Sequence, residues 1–454
     1  MLAQRAMLPL CNIMMIFGAQ SGGVPSDTER SDHRHGNCSL NILFRFLISR
    51  SHRSPGGDLM ISVAEINSLE RLDSIRLLWR DLWLKTRCAT FFQTLEWLES
   101  YYQHFGDEQF LRVLVVSLNG RHFGIVPFVV KNAESRLGNV RVLTYPLDDW
   151  GAFYGPVGPH PAATLSAALR HVKQTRRDWD LLDLRYIDAE GADHGRTRNA
   201  MRGSGFQTYT RSWRDSAVVE LEGNWSDYFA GRNAEHRENY RRSEYELSQQ
   251  GRVEFVRNRR ELTGSVDRVE RWDLFEEFLQ MHGREKTPVS RGVVSGTVAR
   301  NGHRSQEFLS SAHAAAARAG AADLSLLYVD GKPVCAAYGY CSSGRVEGVT
   351  LVSNGDALPA AGSVLIGRML RDSCDRGDET YVFPIRNTEF ATPWKTTVAT
   401  SYRYTHFASV AAKAQVLRLN HLAKEWFGKA GRASSQSPAR TPAHSQMIVP
   451  VSNC

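Results

Sequence analysis

Cysteine is scarce and without pattern. The seven residues (Cys11, Cys38, Cys88, Cys335, Cys341, Cys374 and Cys454) are odd in number and form no CxxC pair. That usage excludes a zinc framework and a disulfide scaffold and points to a reducing compartment, the cytoplasm. No run approaches the ~18 to 20 apolar residues of a membrane-spanning helix, so no span is expected. A Walker loop, a Ser-His-Asp signature and a metal-ligand cluster are also missing, and no metal is expected. What is present is arginine: the net charge of +8 comes largely from it. Such a surface favours anionic partners (a phosphorylated cofactor, a nucleic acid, an acidic polymer) without choosing among them.

Hydrophobic residues at 42% and charged residues at 23% of 454 are values for a soluble globular protein. The length allows about two or three domains. Residues 1–59 differ from the rest: Arg5, an interrupted apolar stretch and a polar, irregular sequence precede the amphipathic patterning that begins at Met60. This segment reads as poorly ordered or over-annotated, with a cleaved signal as the alternative. Residues 411–427 read as a C-terminal helix, and 428–454, rich in Ser, Pro, Ala and Gly, as a disordered tail.

A strand-turn-strand pattern occurs twice, in Leu114 to Val130 and in Leu326 to Cys341. In each, two apolar runs flank Asn-Gly or Asp-Gly, the chemistry of a tight hairpin turn that needs positive φ. A helix-like stretch, an acidic lead-in and another strand follow each hairpin, Asp178 to Ile187 and Arg376 to Phe383. Two copies of one α/β domain are the natural reading, and chance recurrence of a common turn is the alternative. The spacing of apolar residues predicts helices over 64–86, 95–105, 163–174, 225–250, 270–282, 306–319 and 363–374. Strands are expected at 140–145, 181–187, 217–221, 253–256 and 346–352.

Several residues could carry chemistry. The segment Leu358-Pro-Ala-Ala-Gly-Ser363, with Ala360, Ala361, Gly362 and Ser363, precedes a helix and is built from small side chains. Backbone amides there can face a pyrophosphate; an ordinary capped turn is the plainer reading. Arg237, Arg241 and Arg242 cluster on a helix where they can hold phosphates or a sugar acid, or instead pair with neighbouring glutamates. His282 is a candidate base for an amine nucleophile, or a structural histidine; Glu347 and Glu389 are carboxylate alternatives. Trp150, Phe153 and Tyr154, in the loop Asp148 to Pro159, offer a stacking surface for a sugar, or packing beneath a loop.

Taken in order, Arg237-Glu-Asn-Tyr-Arg-Arg242, Leu247 with Gly251, Trp272-Asp-Leu-Phe275, Leu326 to Val334, Gly362 with the helix to Arg376-Gly377, and Trp394 with Thr400 to His406 form a set. Phe92-Gln93, Trp97 and Val126-Pro127 are weaker marks in the first half. The set resembles the bacterial GNAT-superfamily acetyltransferases of the cellulose and exopolysaccharide biosynthesis type, and more distantly the Fem-type aminoacyltransferases. Where that family usually shows Tyr-Lys ahead of the tryptophan, this chain has Phe390-Ala391.

The resemblance implies an α/β (α+β) fold of two tandem GNAT-like domains, each a mixed, mostly antiparallel sheet flanked by helices, over 60–215 and 216–410. It implies acetyl-CoA (acyl-CoA) as co-substrate on the second domain, near Val349 and Leu351, with a backbone amide of that strand stabilising the oxyanion. Trp394 would lie at the acceptor. The expected activity is acyl transfer to an amine or hydroxyl of a sugar or cell-envelope polysaccharide precursor. The alternatives are a GNAT-fold protein that binds such a ligand without turnover, and aminoacyl transfer from aminoacyl-tRNA. Nucleic acid is expected only as tRNA in that last reading.

Overall fold

The computed structural model describes residues 60–135, 137–260, 271–284, 302–354, 359–385 and 388–422. The expectations for 1–59 and 428–454 lie outside these residues. The chain opens with β1 (Ile61–Ile66), α1 (Leu69–Asp73), α2 (Arg76–Leu84) and α3 (Leu95–Phe105). The helix expected from residue 64 is therefore a strand at its start. Ile61 to Ile66 alternates its exposure residue by residue and pairs antiparallel with β2, which a helix cannot do.

Then come β2 (Gln109–Leu118), β3 (Arg121–Ser135), β4 (Gly138–Thr144), α4 (Pro161–Gln174), β5 (Leu181–Ile187), α5 (Arg196–Gly203) and β6 (Tyr209–Glu220). Next are α6 (Trp225–Ala230), α7 (Ala234–Ser248), β7 (Val253–Arg259), α8 (Trp272–Arg284), α9 (Gly302–Ala319), β8 (Ala322–Val329), β9 (Lys332–Ser342) and β10 (Arg345–Ser353). The chain continues with α10 (Pro359–Asp375), β11 (Thr380–Val382), α11 (Thr388–Ala391), β12 (Thr397–Phe407) and helix α12 over 412–422. The single helix expected over 225–250 is two, parted at Gly231-Arg232-Asn233, where the Asn233 side chain accepts from the Glu235 amide and starts α7 afresh. The small-residue segment expected as a loop is the first turn of α10, with Pro359 at its first helical position.

Both hairpins form as the turn chemistry requires. Asn119 and Gly120 have φ of 50° and 77°, Asp330 and Gly331 of 47° and 73°. The strands make one mixed, mostly antiparallel sheet in the order β1-β2-β3-β4-β5-β12-β6-β11-β10-β9-β8-β7. Counting β1–β6 as one half and β7–β12 as the other, the order is the same read from either edge, except that β6 and β12 have changed places. Each half has one short parallel contact, β4 with β5 and β10 with β11. The duplicated pattern of the sequence is thus a duplicated topology joined by strand exchange, and a division at 215/216 would cut β6.

Helices cover both faces. On the second half, α10 and α7 lie on one face, where Gly367 leaves room for the Tyr240 ring; a Cβ at Gly367 would stand 2.3 Å from it. The other face carries α8 and α9, whose Phe275, Phe278, Phe308 and Leu309 are buried with Tyr338 and Tyr340 of β9.

Candidate active site

The second-half parallel contact is short. β10 pairs with β11 only through Arg345↔Thr380, Val346↔Tyr381 and Glu347↔Val382. β10 then runs on to Ser353 with β9 alone, while the chain leaves β11 through Phe383-Pro384. Beyond Glu347, no strand among the described residues pairs with β10 on the edge that β11 leaves.

Glycine makes this geometry. A Cβ at Gly348 would sit 2.7 Å from Pro384 Cδ and 3.1 Å from the Val382 carbonyl oxygen. One at Gly339, its partner across the pair, would sit 2.6 Å from the Glu347 carbonyl oxygen. The register then slips between Gly348 and Thr350, leaving Val349 as the extra residue of a bulge. Two strand glycines were the signal from which the bulge was readable.

The equivalent opening in the first half is filled by its own chain. The β4–β5 contact is limited to Val142↔Leu181 and Leu143↔Leu182. Beside it the Tyr154 amide donates to the Tyr186 carbonyl at 2.8 Å, and Val157 bridges Ile125. Tyr145 and Tyr154 are buried there with ring centres 5.1 Å apart. Trp150 is half-buried and packs 4.8 Å from Phe308.

The sheet separates the residues singled out in the sequence. On the α8/α9 face, Glu347 is 3% exposed and accepts from Arg345 Nε at 2.5 Å. Burial works against the Arg345 charge, and Glu347 beside it outweighs that, so the guanidinium is held above its ordinary value. Its charged end lies 5.5 Å from the ring centre of Phe153, which comes from the first half and packs on Val218 and Val382. Arg345 was not singled out in the sequence, and Phe153 was expected only in the stacking loop, since nothing local links a first-half loop to a second-half strand. His282, in the last turn of α8, stacks on Phe278, which stacks on Tyr338. The Glu389 side chain lies outside the described residues.

On the α7/α10 face, Ala360, Ala361 and Gly362 are buried in the first turn of α10, with Ser363 half-buried. Among the described residues, a Cβ at Gly362 would meet only the Phe390 ring, at 3.9 Å. Leu351 is buried on this face, whereas Val349 packs against the opposite core. Arg237 is half-buried; Arg241 and Arg242 are exposed, Arg241 3.7 Å from Glu238 and Arg242 bonded to Asn239. Trp394 is 1% exposed, with His236 edge-on at 4.4 Å and Tyr240 at 5.3 Å. Beside it a cavity of about 470 Å³ is lined by Arg232, Asn233, Glu235, His236, Asn239 and Pro393 among others. Burial, then the charge of Arg232, lower the His236 pKa, favouring the neutral ring. Among the described residues there is no group of three or more potential metal ligands, and no helix is long and apolar enough to cross a membrane.

Residues 234–396 match the sequence model of the Acetyltransferase (GNAT) domain. No curated protein matches the chain. Among solved structures, FemX is similar at 11% identity and a TM-score of 0.49, over 76% of this chain and 97% of that one. A tandem GNAT protein from the clavulanic acid biosynthesis pathway is similar at 10% identity and a TM-score of 0.41, over 78% and 100%. L-PGS from Bacillus licheniformis is similar at 13% identity and a TM-score of 0.42, over 72% and 96%. At these identities and scores the likenesses carry no argument about chemistry. The family match does: residues 234–396 are an acetyltransferase (GNAT) domain, and the protein that carries them is an acyltransferase.

Proposed function

We propose that the protein transfers an acetyl or other acyl group from acyl-CoA to an amine or hydroxyl of a sugar or cell-envelope polysaccharide precursor. The observation that carries this reading is the parting of β10 from β11 beyond Glu347, next to the first turn of α10. The matching opening of the first half is filled by residues 145–157, which favours the second half as the donor site. The residues fit the donor. An extended chain bearing amides can lie along β10 from Gly348, where the two parallel strands part. Its pyrophosphate finds the amide end of a 17-residue helix whose first turn is Pro-Ala-Ala-Gly.

Glu347 stands on the other face of the sheet, toward α8 and α9, and it is there that an acceptor would approach. In the reaction the acceptor nitrogen or oxygen bonds to the thioester carbonyl carbon, the carbon–sulfur bond breaks, and CoA leaves as the thiol. The proton lost by the acceptor passes to a base, for which Glu347 is the first candidate and His282 the second. An amide of β10 near Val349 would stabilise the oxyanion.

The test is calorimetric titration of acetyl-CoA into the full chain and into Gly362→Leu. Saturable binding that weakens at least tenfold in the variant is expected, because the new side chain would stand where the pyrophosphate approaches. Equal affinity in Gly362→Leu would remove α10 from the donor site. Turnover of Glu347→Gln and His282→Gln across pH then assigns the base: the variant with a wild-type profile is excluded from that role.

A further inference from the structure

A second cluster lies at the exchanged strands, outside everything assigned above. The ring of Trp213 (β6) has three guanidinium carbons around it: Arg185 of β5 at 4.7 Å, Arg214 of β6 at 4.7 Å and Arg403 of β12 at 4.8 Å. Bulges bring them together. Ser401 pairs with Arg214 and Tyr402 with Ser212, so Trp213 is an extra residue that joins Arg214 on one face of the sheet. On the other side of β12, Tyr402 pairs with Ile187 but Tyr404 with Leu184, which leaves an extra residue in β5. Counting along β6 from Trp213 and Arg214 leads through Ser216 to Val218, which packs on Phe153 and Val382. The cluster therefore shares the sheet face that presents Glu347.

Its charges do not balance. Asp183 accepts from Arg185 Nε at 2.7 Å, from Arg403 Nη2 at 2.6 Å and Nε at 3.1 Å, and from the Thr405 hydroxyl at 2.8 Å. Asp149 accepts from Arg214 Nη2 at 2.9 Å and from the Tyr186 hydroxyl at 3.1 Å. Two carboxylates thus bond three arginines, and Asp148, which also acts on Arg185, is itself paired with Lys131. The Arg185 side chain is 4% exposed, and among the described residues its Nη2 has no hydrogen-bond partner; neither has the buried Nε1 of Trp213. Buried donors left unpaired beside excess positive charge are costly in a folded protein and mark a place for an acceptor atom. Arg403 and Arg214, with side chains 20% and 34% exposed, leave the cluster open to solvent.

We propose that the Trp213-centred arginine cluster binds an oxyanion of the acceptor, a carboxylate or a phosphate, on the face of the sheet that presents Glu347. The acceptor role rests on the acyl-transfer reading; the anion site does not. The substrate class this selects is an acidic or phosphorylated sugar rather than a neutral one. Arginine suits either group, because its planar fork meets two oxygens at once.

The experiment is titration of inorganic phosphate, D-glucuronate and, as the uncharged control, D-glucose into the full chain at low salt. It is repeated on Arg403→Gln and Arg214→Gln after circular dichroism confirms folding; Trp213→Phe, which removes the indole N–H and shrinks the ring that the three guanidinium groups pack on, replaces any variant that fails to fold. Expected are saturable binding of phosphate or glucuronate, mutual competition, no binding of glucose, and at least tenfold weaker affinity in the variants. The tighter of the two anions identifies the source of the charge. Absence of binding by both anions, or affinity unchanged in the variants, overturns the proposal. Acetyl-CoA titrated into the same wild-type sample separates the two readings: if it does not bind while arginine-dependent anion binding persists, the donor assignment falls and the anion site stands.

Discussion

At the scale of single residues, the fold depends on a few close approaches and a few buried titratable groups. Gly367 is one such approach: a Cβ there would press into the end of the Tyr240 ring, which packs α7 onto α10 and whose hydroxyl bonds Glu244 at 2.9 Å. Gly367→Ala is expected to cost about 1–3 kcal/mol as overpacking, read as a lower urea midpoint at unchanged slope. An unaltered midpoint would mean that Tyr240 swings aside freely. His313 gives a pH prediction. It is 1% exposed, stacked 3.8 Å from Phe275 and bonded to the Tyr338 hydroxyl at 3.2 Å, and burial pulls its pKa down to about 4 from an ordinary 6.5. The unfolded chain therefore takes up a proton below pH ~6.5 that the folded chain refuses until about pH 4. The stability this contributes is complete above pH ~6.5 and is lost as pH falls through that window, on the order of 3 kcal/mol in all. His406 and His236 are shifted the same way, so the quantity to measure is the difference between wild type and His313→Gln. Unfolding free energies at pH 7 and pH 4.5 should lie closer together in the variant; parallel curves would show that His313 does not titrate as its burial demands.

Elements differ in how far the chain's local pattern reveals them. Both hairpins were legible because Asn119-Gly120 and Asp330-Gly331 state their turn geometry in two residues. β5 was legible because Leu181, Leu182, Leu184, Tyr186 and Ile187 crowd strand-forming side chains into seven positions, although its two charged residues, Asp183 and Arg185, are buried with them. β1 was misread because Ile61 to Ile66 runs straight into a helical pattern, and only its pairing with β2 distinguishes the two. The exchange of β6 and β12 was not legible at all, since the partners of β12 lie far earlier in the chain and hydrogen bonding between strands leaves no local trace. The same holds for the candidate site. Glu347 and the first turn of α10 could be found by type, whereas Phe153 beside Arg345 and the arginines around Trp213 exist only through tertiary contact. The exchange carries a prediction at this scale. Because β12 lies between β5 and β6, a fragment of residues 60–215 would hold two strand edges that normally pair with it. Unpaired edges of that kind template aggregation. The fragment is expected to be insoluble or to give collapsed amide spectra, and to be rescued by co-expression with 216–410. A dispersed spectrum from the isolated fragment would mean that the exchange is dispensable.

Across the whole molecule, the strand exchange and an aromatic seam act together. Phe308, on α9 of the second half, has its ring 5.2 Å from Trp97, 5.0 Å from Phe105 and 4.8 Å from Trp150, all of the first half. Phe91 and Phe92 lie 4.5 and 5.4 Å from Tyr340, one residue beyond Gly339 on β9. Residues from both halves thus occupy one hydrophobic cluster. The consequence for function is positional: Phe153 and the Trp213 cluster cannot move freely against Glu347, because the sheet is continuous between them and the seam lies beside it. A donor held by the second half and an acceptor held at the exchanged strands would then meet in a prearranged geometry, the condition under which orientation lowers a barrier. The consequence for stability is that neither half should melt alone. Phe308→Ala removes a fully buried ring and is expected to cost about 3–5 kcal/mol. In a scanning calorimeter the wild type should show one transition with calorimetric and van't Hoff enthalpies in a ratio near one, and the variant should keep that single transition at a lower temperature. Two resolved transitions in the wild type would show that the halves unfold independently. A variant that splits one transition into two would assign the coupling to the aromatic seam rather than to the exchanged strands.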